Sequence, residues 1–180
     1  MRIAIVYGTT EGQTQKVCLF VQKVLLDVGH SVALLPAATA KDVSASEFDA
    51  CVLAASVHAG FYQKDLIAWA KQNAAGLAGR PTLFLSLSLS AAGDRDEDWV
   101  ELGRIVERLA GDTGWTPGRT EHVAGAFRFS EYDFFKSWAM RWIESERDPG
   151  ARPGTDREYT DWAKLDATIR DWTSAIAGGT

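Results

Sequence analysis

Three threonines and two glycines crowd together near the start of the chain, in Gly8-Thr9-Thr10-Glu11-Gly12-Gln13-Thr14. These residue types at this spacing can hold an anion. Thr9, Thr10 and Thr14 bring hydroxyl donors. Gly8 and Gly12 let the backbone turn tightly or approach a ligand closely. The spacing is too short for a Walker motif, and Gln13-Thr14 stands where that motif needs Lys-Ser/Thr; no dinucleotide-type G-x-G-x-x-G is present either. A nucleoside triphosphate generally meets a lysine and Mg²⁺, whereas a terminal monophosphate can be held by neutral donors alone. The loop therefore suits a phosphomonoester such as the tail of FMN. The competing reading is an ordinary strand-to-helix turn with good helix caps.

A strand and a helix must position these groups. Ile3, Ala4, Ile5, Val6 and Tyr7 form a short apolar, β-branched run that leads into the loop. Val17, Phe20, Val21, Val24, Leu25 and Val28 then recur at helical spacing, and Gly29 closes the pattern. An anion at such a turn meets free backbone N–H groups and the positive end of a helix dipole.

Two further strand ends would stand beside the loop. Residues 49–56 (DACVLAAS) form the continuous apolar run of a strand buried on both faces of a parallel sheet. The run ends in Ser56-Val57-His58-Ala59-Gly60-Phe61-Tyr62. Residues 82–89 (TLFLSLSL) read as another strand, ending in Ser88, Leu89 and Ser90. In an open α/β sheet the ligand lies outside the carboxyl ends of the strands, at the switch point beside the first strand. There His58 can hydrogen-bond a ring edge, Gly60 can flex, and Phe61 and Tyr62 can cover a ring face. His58 reads equally well as a solvent-exposed loop histidine. No aromatic residue follows Ser90 until Trp99, so the ring face should be open on that side. The acidic stretch 94–98 reads as a capped helix start with favourable dipole interactions.

The remaining segments complete an alternating pattern. Residues 31–35 form a second strand ended by Pro36, and 37–48 a polar surface connection. Helices are expected over 63–75 and 99–110, the second ended by Gly111 and Gly114. A fifth strand covers 120–127. Residues 130–157 separate that strand from the last helix, and within them Phe134, Phe135, Trp138, Met140, Trp142 and Ile143 lie close to helical spacing. Thr160-Asp161 caps the final helix, whose stripe is Trp162, Leu165, Ile169, Trp172 and Ile176. This alternation predicts a doubly wound five-stranded parallel α/β sheet in the order 2-1-3-4-5, in a single domain spanning 1–180.

Composition narrows the function classes. The 180 residues are 46% hydrophobic, enough for one core, and they contain no run of eighteen apolar residues, so no segment is expected to span a bilayer. The chain opens on a strand, not on a secretory signal, so a cytoplasmic protein is expected. A net charge of −5 disfavours nucleic acid as a partner. Cys18 and Cys51 are the two cysteines; their spacing fits no metal site and both read as buried thiols. Of seven tryptophans, five lie from Trp115 onward, so the carboxyl-terminal part has aromatic work of its own.

The loop resembles the phosphate loop of flavodoxins, roughly Ser/Thr-x-Thr-Gly-x-Thr, through Thr9, Thr10, Gly12, Gln13 and Thr14. Glu11 departs from that pattern, and a carboxylate beside a phosphate is unfavourable, so it should contribute its N–H alone. The chain resembles one branch of the flavodoxin-like proteins more closely, the menaquinone-dependent protoporphyrinogen IX dehydrogenases. The matching pieces are Glu-Gly-Gln-Thr at 11–14, Ala-Ser-Val-His-Ala-Gly at 55–60 with Tyr62, Ala-Gly-Ala-Phe-Arg-Phe at 124–129 and Tyr-Thr-Asp-Trp at 159–162, in order along nearly the whole chain.

The resemblance implies a flavodoxin-like fold with a helical insert at about 130–158. It implies FMN as cofactor, held by residues 9–14, by Ser56, Val57, His58, Ala59, Gly60 and Tyr62, and by Ser88, Leu89 and Ser90. It implies a flavin-dependent enzyme that passes electrons from a porphyrinogen to a quinone, with Phe127, Arg128, Phe134 and Trp138 of the insert region in contact with substrate or quinone. Peripheral membrane contact through the insert and self-association are further expectations of this kind. Two other functions stay open: an FMN electron carrier without its own substrate, and a flavodoxin-fold binding module that has lost FMN.

Overall fold

The computed structural model describes residues 1–127 and 157–178, with the backbone alone of Phe127. Strands β1 (Arg2–Gly8), β2 (Ser31–Pro36), β3 (Ala50–Ser56), β4 (Thr82–Ser88) and β5 (Arg119–Ala124) form one sheet, in the order β2-β1-β3-β4-β5. Every neighbouring pair is parallel, as the alternation predicts. Helices α1 (Gln13–Asp27), α2 (Lys64–Gln72), α3 (Ala74–Ala78), α4 (Asp96–Thr113) and α5 (Trp162–Ala177) are the crossovers and the final cover.

The two-residue period of β1 divides the core. Ile3, Ile5 and Tyr7 face α1 and α5, and pack with Val17, Val21, Ile169 and Trp172. Ala4 and Val6 face α2 and α4, and pack with Leu53, Leu66, Trp69, Ile105 and Leu109. Residues 3–6 are all 0% exposed, which explains why their sequence shows no polar alternation.

Four boundaries differ from the sequence reading. The helix expected over 63–75 breaks at Asn73. Its buried carboxamide accepts from the Ala45 N–H at 2.8 Å and donates to the Trp69 carbonyl at 3.0 Å, closing α2 before α3 begins. Helix α4 runs through Gly111 and ends at Gly114, whose φ of 73° supplies the left-handed stop. All three acids Asp96, Glu97 and Asp98 occupy its first turn, where they face the positive end of the dipole; Arg95 at the cap position makes no side-chain capping bond but pairs with Glu97 at 2.8 Å.

The fourth difference bears on function. The expected strand over 120–127 leaves the sheet after Ala124. At Gly125 the N–H donates to the Ser88 carbonyl at 2.9 Å and the carbonyl accepts from the Tyr159 N–H at 3.0 Å. The chain then forms β6 (Ala126–Phe127), antiparallel to β7 (Arg157–Glu158), with Ala126 opposite Glu158 and Phe127 opposite Arg157. The return of the chain is thus fixed at the carboxyl edge of the sheet.

Candidate functional site: a crevice at the strand ends

The loop after β1 is built by local bonds. The Thr9 hydroxyl accepts from the Gly12 N–H at 3.0 Å. Gly12 sits at φ 81°, in the left-handed region where a Cβ is strained, and takes the N-cap position of α1 without a side-chain cap. The first helical bond runs from the Lys16 N–H to the Gly12 carbonyl at 3.0 Å, which leaves the amides before Lys16 unbonded within the helix and pointing off its end. Thr14 is 1% exposed and its hydroxyl oxygen makes no hydrogen bond among the described residues. A buried hydroxyl without a partner is costly, and this one lines the mouth of a cavity.

That cavity, about 580 Å³, lies across the carboxyl ends of β1, β3 and β4, within the usual size range of a small-molecule site. Thr9, Glu11, Gln13 and Thr14 form one end. Ser56, Val57, His58, Ala59 and Gly60 form one side, and Leu87, Ser88, Leu89 and Ser90 another. The Val57 N–H donates to the Leu87 carbonyl at 2.8 Å, so the two sides are joined. His58 and Phe61 bridge each other through N–H···O bonds of 2.8 and 3.0 Å. Between them Ala59 and Gly60 both have positive φ, 48° and 82°, as a two-residue hairpin turn requires. Arg108 of α4 fastens this turn: its Nη1 donates to the Gly60 carbonyl at 3.0 Å, and its guanidinium lies 4.9 Å from the centre of the Phe61 ring.

Two expected site residues lie off the cavity wall, and a third lines it with its side-chain amide engaged elsewhere. Tyr62 is 6% exposed and belongs to the core. Its hydroxyl pairs with Ser86 at 2.8 Å, its ring meets Phe84 edge-on, and burial pushes its phenol up to about 12, so it does not cover a ring in the cavity. Thr10 is exposed and its hydroxyl accepts from Gln63 Nε2 at 3.3 Å instead of lining the cavity. The Gln13 carboxamide donates to Glu158 and Thr160, turning its N–H groups away from the loop. Phe127 contributes strand backbone; Arg128, Phe134 and Trp138 lie outside the described residues.

The sequence reading missed the fourth wall. Asp98, Glu101, Leu102 and Ile105 of α4 line the cavity, as do Gly125 and Ala126. The α4 residues follow an i, i+3, i+4, i+7 spacing, which places them on one helix face, and that spacing was the available signal. Gln63 was also missed. It donates to the Ser56 hydroxyl at 2.8 Å and accepts from the Ser56 N–H at 3.2 Å while reaching Thr10. A Cβ on Gly8 would lie 2.8 Å from its Cβ, so Gly8 leaves room for this tie.

A family model described as flavodoxin domain matches residues 4–151. The chain belongs to the flavodoxin domain family. Its cofactor is FMN, and the donor set fits. A left-handed glycine, helix-start amides left unbonded within the helix and the Thr14 hydroxyl, without a hydrogen-bond partner among the described residues, are the kind of donors that a phosphate takes, and the cavity beside them has room for a ring.

Among curated relatives, the protoporphyrinogen IX dehydrogenase [quinone] of Escherichia coli K12 is 23% identical over 167 residues, 92% of this chain and 91% of the relative. Solved flavodoxins share the fold. One from Streptococcus pneumoniae TIGR4 has a TM-score of 0.58 at 15% identity, covering 98% of this chain and 100% of that one. Flavodoxin 1 of Bacillus cereus has a TM-score of 0.57 at 9% identity, covering 97% and 98%. Among the described residues of this flavodoxin-family protein, no helix is long and apolar enough to cross a membrane.

Proposed function

We infer that this protein is an FMN-dependent oxidoreductase that removes hydrogen from a porphyrinogen and reduces a quinone to the quinol. The observation that carries this reading is the nearly end-to-end likeness to a protoporphyrinogen IX dehydrogenase [quinone], over 92% of the chain. Bound FMN supplies the redox chemistry. The chain's own residues bind and orient. Thr9 fixes the loop through Gly12, and Thr14 with the helix-start amides holds the phosphate. The turn at 58–61, stapled by Arg108, and the backbone of 88–90 flank the ring. Leu102 and Ile105 exclude water from the deep side, where each is at most 4% exposed. Contacts of Phe127, Arg128, Phe134 and Trp138 with substrate or quinone, peripheral membrane contact and self-association extend the same proposal.

A second reading, an electron carrier with no substrate of its own, draws on one observation. Three carboxylate residues, Glu11, Asp98 and Glu101, line the cavity and no lysine or arginine among the described residues does. Such a wall repels a substrate bearing propionates. The deciding experiment is anaerobic turnover of the FMN-loaded protein with protoporphyrinogen and a soluble menaquinone analogue, read by porphyrin fluorescence. Quinone-dependent porphyrin formation above a free-FMN blank is expected. A yellow protein without turnover would leave the carrier, and a protein that stays colourless with added FMN would leave the binding module.

A further inference from the structure

The return of the chain from residues 128–156 is fastened to the loop end of the crevice by hydrogen bonds, the innermost of them buried. Gln13, 8% exposed, opens α1 directly beneath the loop. Both N–H bonds of its carboxamide are engaged far along the chain: Nε2 donates to Glu158 Oε1 at 2.7 Å and to Thr160 Oγ1 at 3.1 Å. Thr160, 9% exposed, passes the link on by donating to the Ala124 carbonyl at 2.7 Å, where β5 leaves the sheet. Glu158 is held in turn by Lys16, one turn into α1, at 2.7 Å, and Lys16 lies 5.2 Å from the ring centre of Trp162. The Trp162 ring packs on Phe20 of α1 at 5.0 Å.

We propose that Thr160, acting through the Gln13 carboxamide, is a positioning residue for the phosphate subsite, so that recognition of the phosphomonoester, and not of the ring, depends on the chain's return from 128–156. The physical reason lies in what the link constrains. Gln13 and Thr14 supply helix-start amides, and an anion bound there is sensitive to where those amides point. Val17 and Val21 hold the body of α1 on the sheet. The first turn lies beyond that apolar grip, and Gly12 before it allows wide backbone freedom. The Gln13 carboxamide ties this turn to the far edge of the sheet, beside the Lys16–Glu158 pair. The link does not reach the walls formed by 56–60, 87–90 or α4, and it meets the ring end only beside Gly125 and Ala126, so the ring end should feel its loss less than the phosphate end.

The inference rests on the FMN reading, and its test separates the two. Dissociation constants for FMN and for riboflavin, which lacks the phosphate, are measured by flavin fluorescence in the wild type, Thr160→Val, Thr160→Ser and Gln13→Met. Thr160→Val removes the acceptor for Gln13 and the donor to Ala124 at near-constant shape. Gln13→Met removes the link and leaves the Lys16–Glu158 pair standing, which guards against a Thr160 variant that does not fold. The expected result is FMN binding weaker by about tenfold in Thr160→Val and Gln13→Met, since each variant loses two hydrogen bonds of the link and only part of that loss reaches the bound anion. Riboflavin affinity stays within about twofold in both variants, and Thr160→Ser restores the wild-type ratio. Equal losses for both flavins, or no change in either, overturn the positioning role while the FMN reading stands. A wild type that binds neither flavin overturns both.

Discussion

The two ends of the crevice are made differently. The proposed phosphate end is a single stretch, residues 9–14, whose turn is closed by neighbours in sequence, the Thr9 hydroxyl on the Gly12 N–H and Gly12 in the left-handed region, and anchored from afar through Thr10 and Gln13. The ring end is assembled from residues 56–60, 87–90, 98–105 and 125–126, which meet because β3, β4 and β5 are adjacent and α4 lies across them. A local site fails when one torsion or one donor fails. A composite site spreads its geometry over many contacts, and each contributes little. Changes at the first end should therefore be large and phosphate-specific, and changes at the second small and shared by any flavin.

Gly12→Val gives the largest expected effect. No atom lies within 4 Å of the added Cβ, so the cost is torsional, from holding a β-branched residue at φ 81°. That cost is about 1–3 kcal/mol. The loop is expected to abandon its shape, with FMN affinity falling by about tenfold or more and riboflavin affinity little changed. Isothermal titration with both ligands checks this, and parallel losses would mean that the two ends are not independent.

At the ring end, Arg108→Met removes the bond to the Gly60 carbonyl and the contact with the Phe61 ring. Arg108 is exposed, so about 1 kcal/mol or less is at stake. FMN and riboflavin should both weaken by about threefold, with a shift in the visible absorption envelope of bound flavin. A loss confined to FMN would erase the distinction drawn between the ends.

The smallest effect concerns His122 on β5, which lies outside the cavity wall. Its Nδ1 is buried without a hydrogen bond, and its ring meets Trp99 of α4 edge-on at 5.6 Å. Burial lowers the His122 pKa, with a nearby Lys164 acting the same way and Glu121 opposing. The unfolded chain then binds this proton more readily than the folded one. Stability is complete above the ordinary histidine value of about 6.5 and is lost as pH falls below it. The melting temperature should drop between about pH 7.5 and about pH 5.5, and drop less in His122→Leu. The flavin affinity ratio should not move, since His122 touches neither end.

The same division explains what was legible before folding. The sheet order and the phosphate loop were readable because both depend on short-range pattern: apolar runs of strand length, helical repeats, and hydroxyls with glycines at one turn. The loop at 56–60 was readable through the general position of ligands at strand ends. Tyr62 was misplaced because an aromatic beside a loop has the same sequence signature whether it faces ligand or core. The Ser86 hydroxyl one strand away decides the matter by partnering its phenol. The α4 wall stayed hidden because Asp98, Glu101, Leu102 and Ile105 also read as an ordinary amphipathic helix.

By itself, then, the sequence determined the parallel sheet and a turn rich in glycine and hydroxyls of the kind that can seat a phosphate, since apolar runs, helical repeats and neighbouring hydrogen-bonding groups carry both. Tertiary structure alone decided that Gln13 turns its carboxamide toward Glu158 and Thr160, 145 and 147 positions distant. It also decided that β5 stops at Gly125 to let the chain return beside it. A buried polar group takes whichever partner the packed chain brings within reach, and distance along the sequence carries no record of that choice.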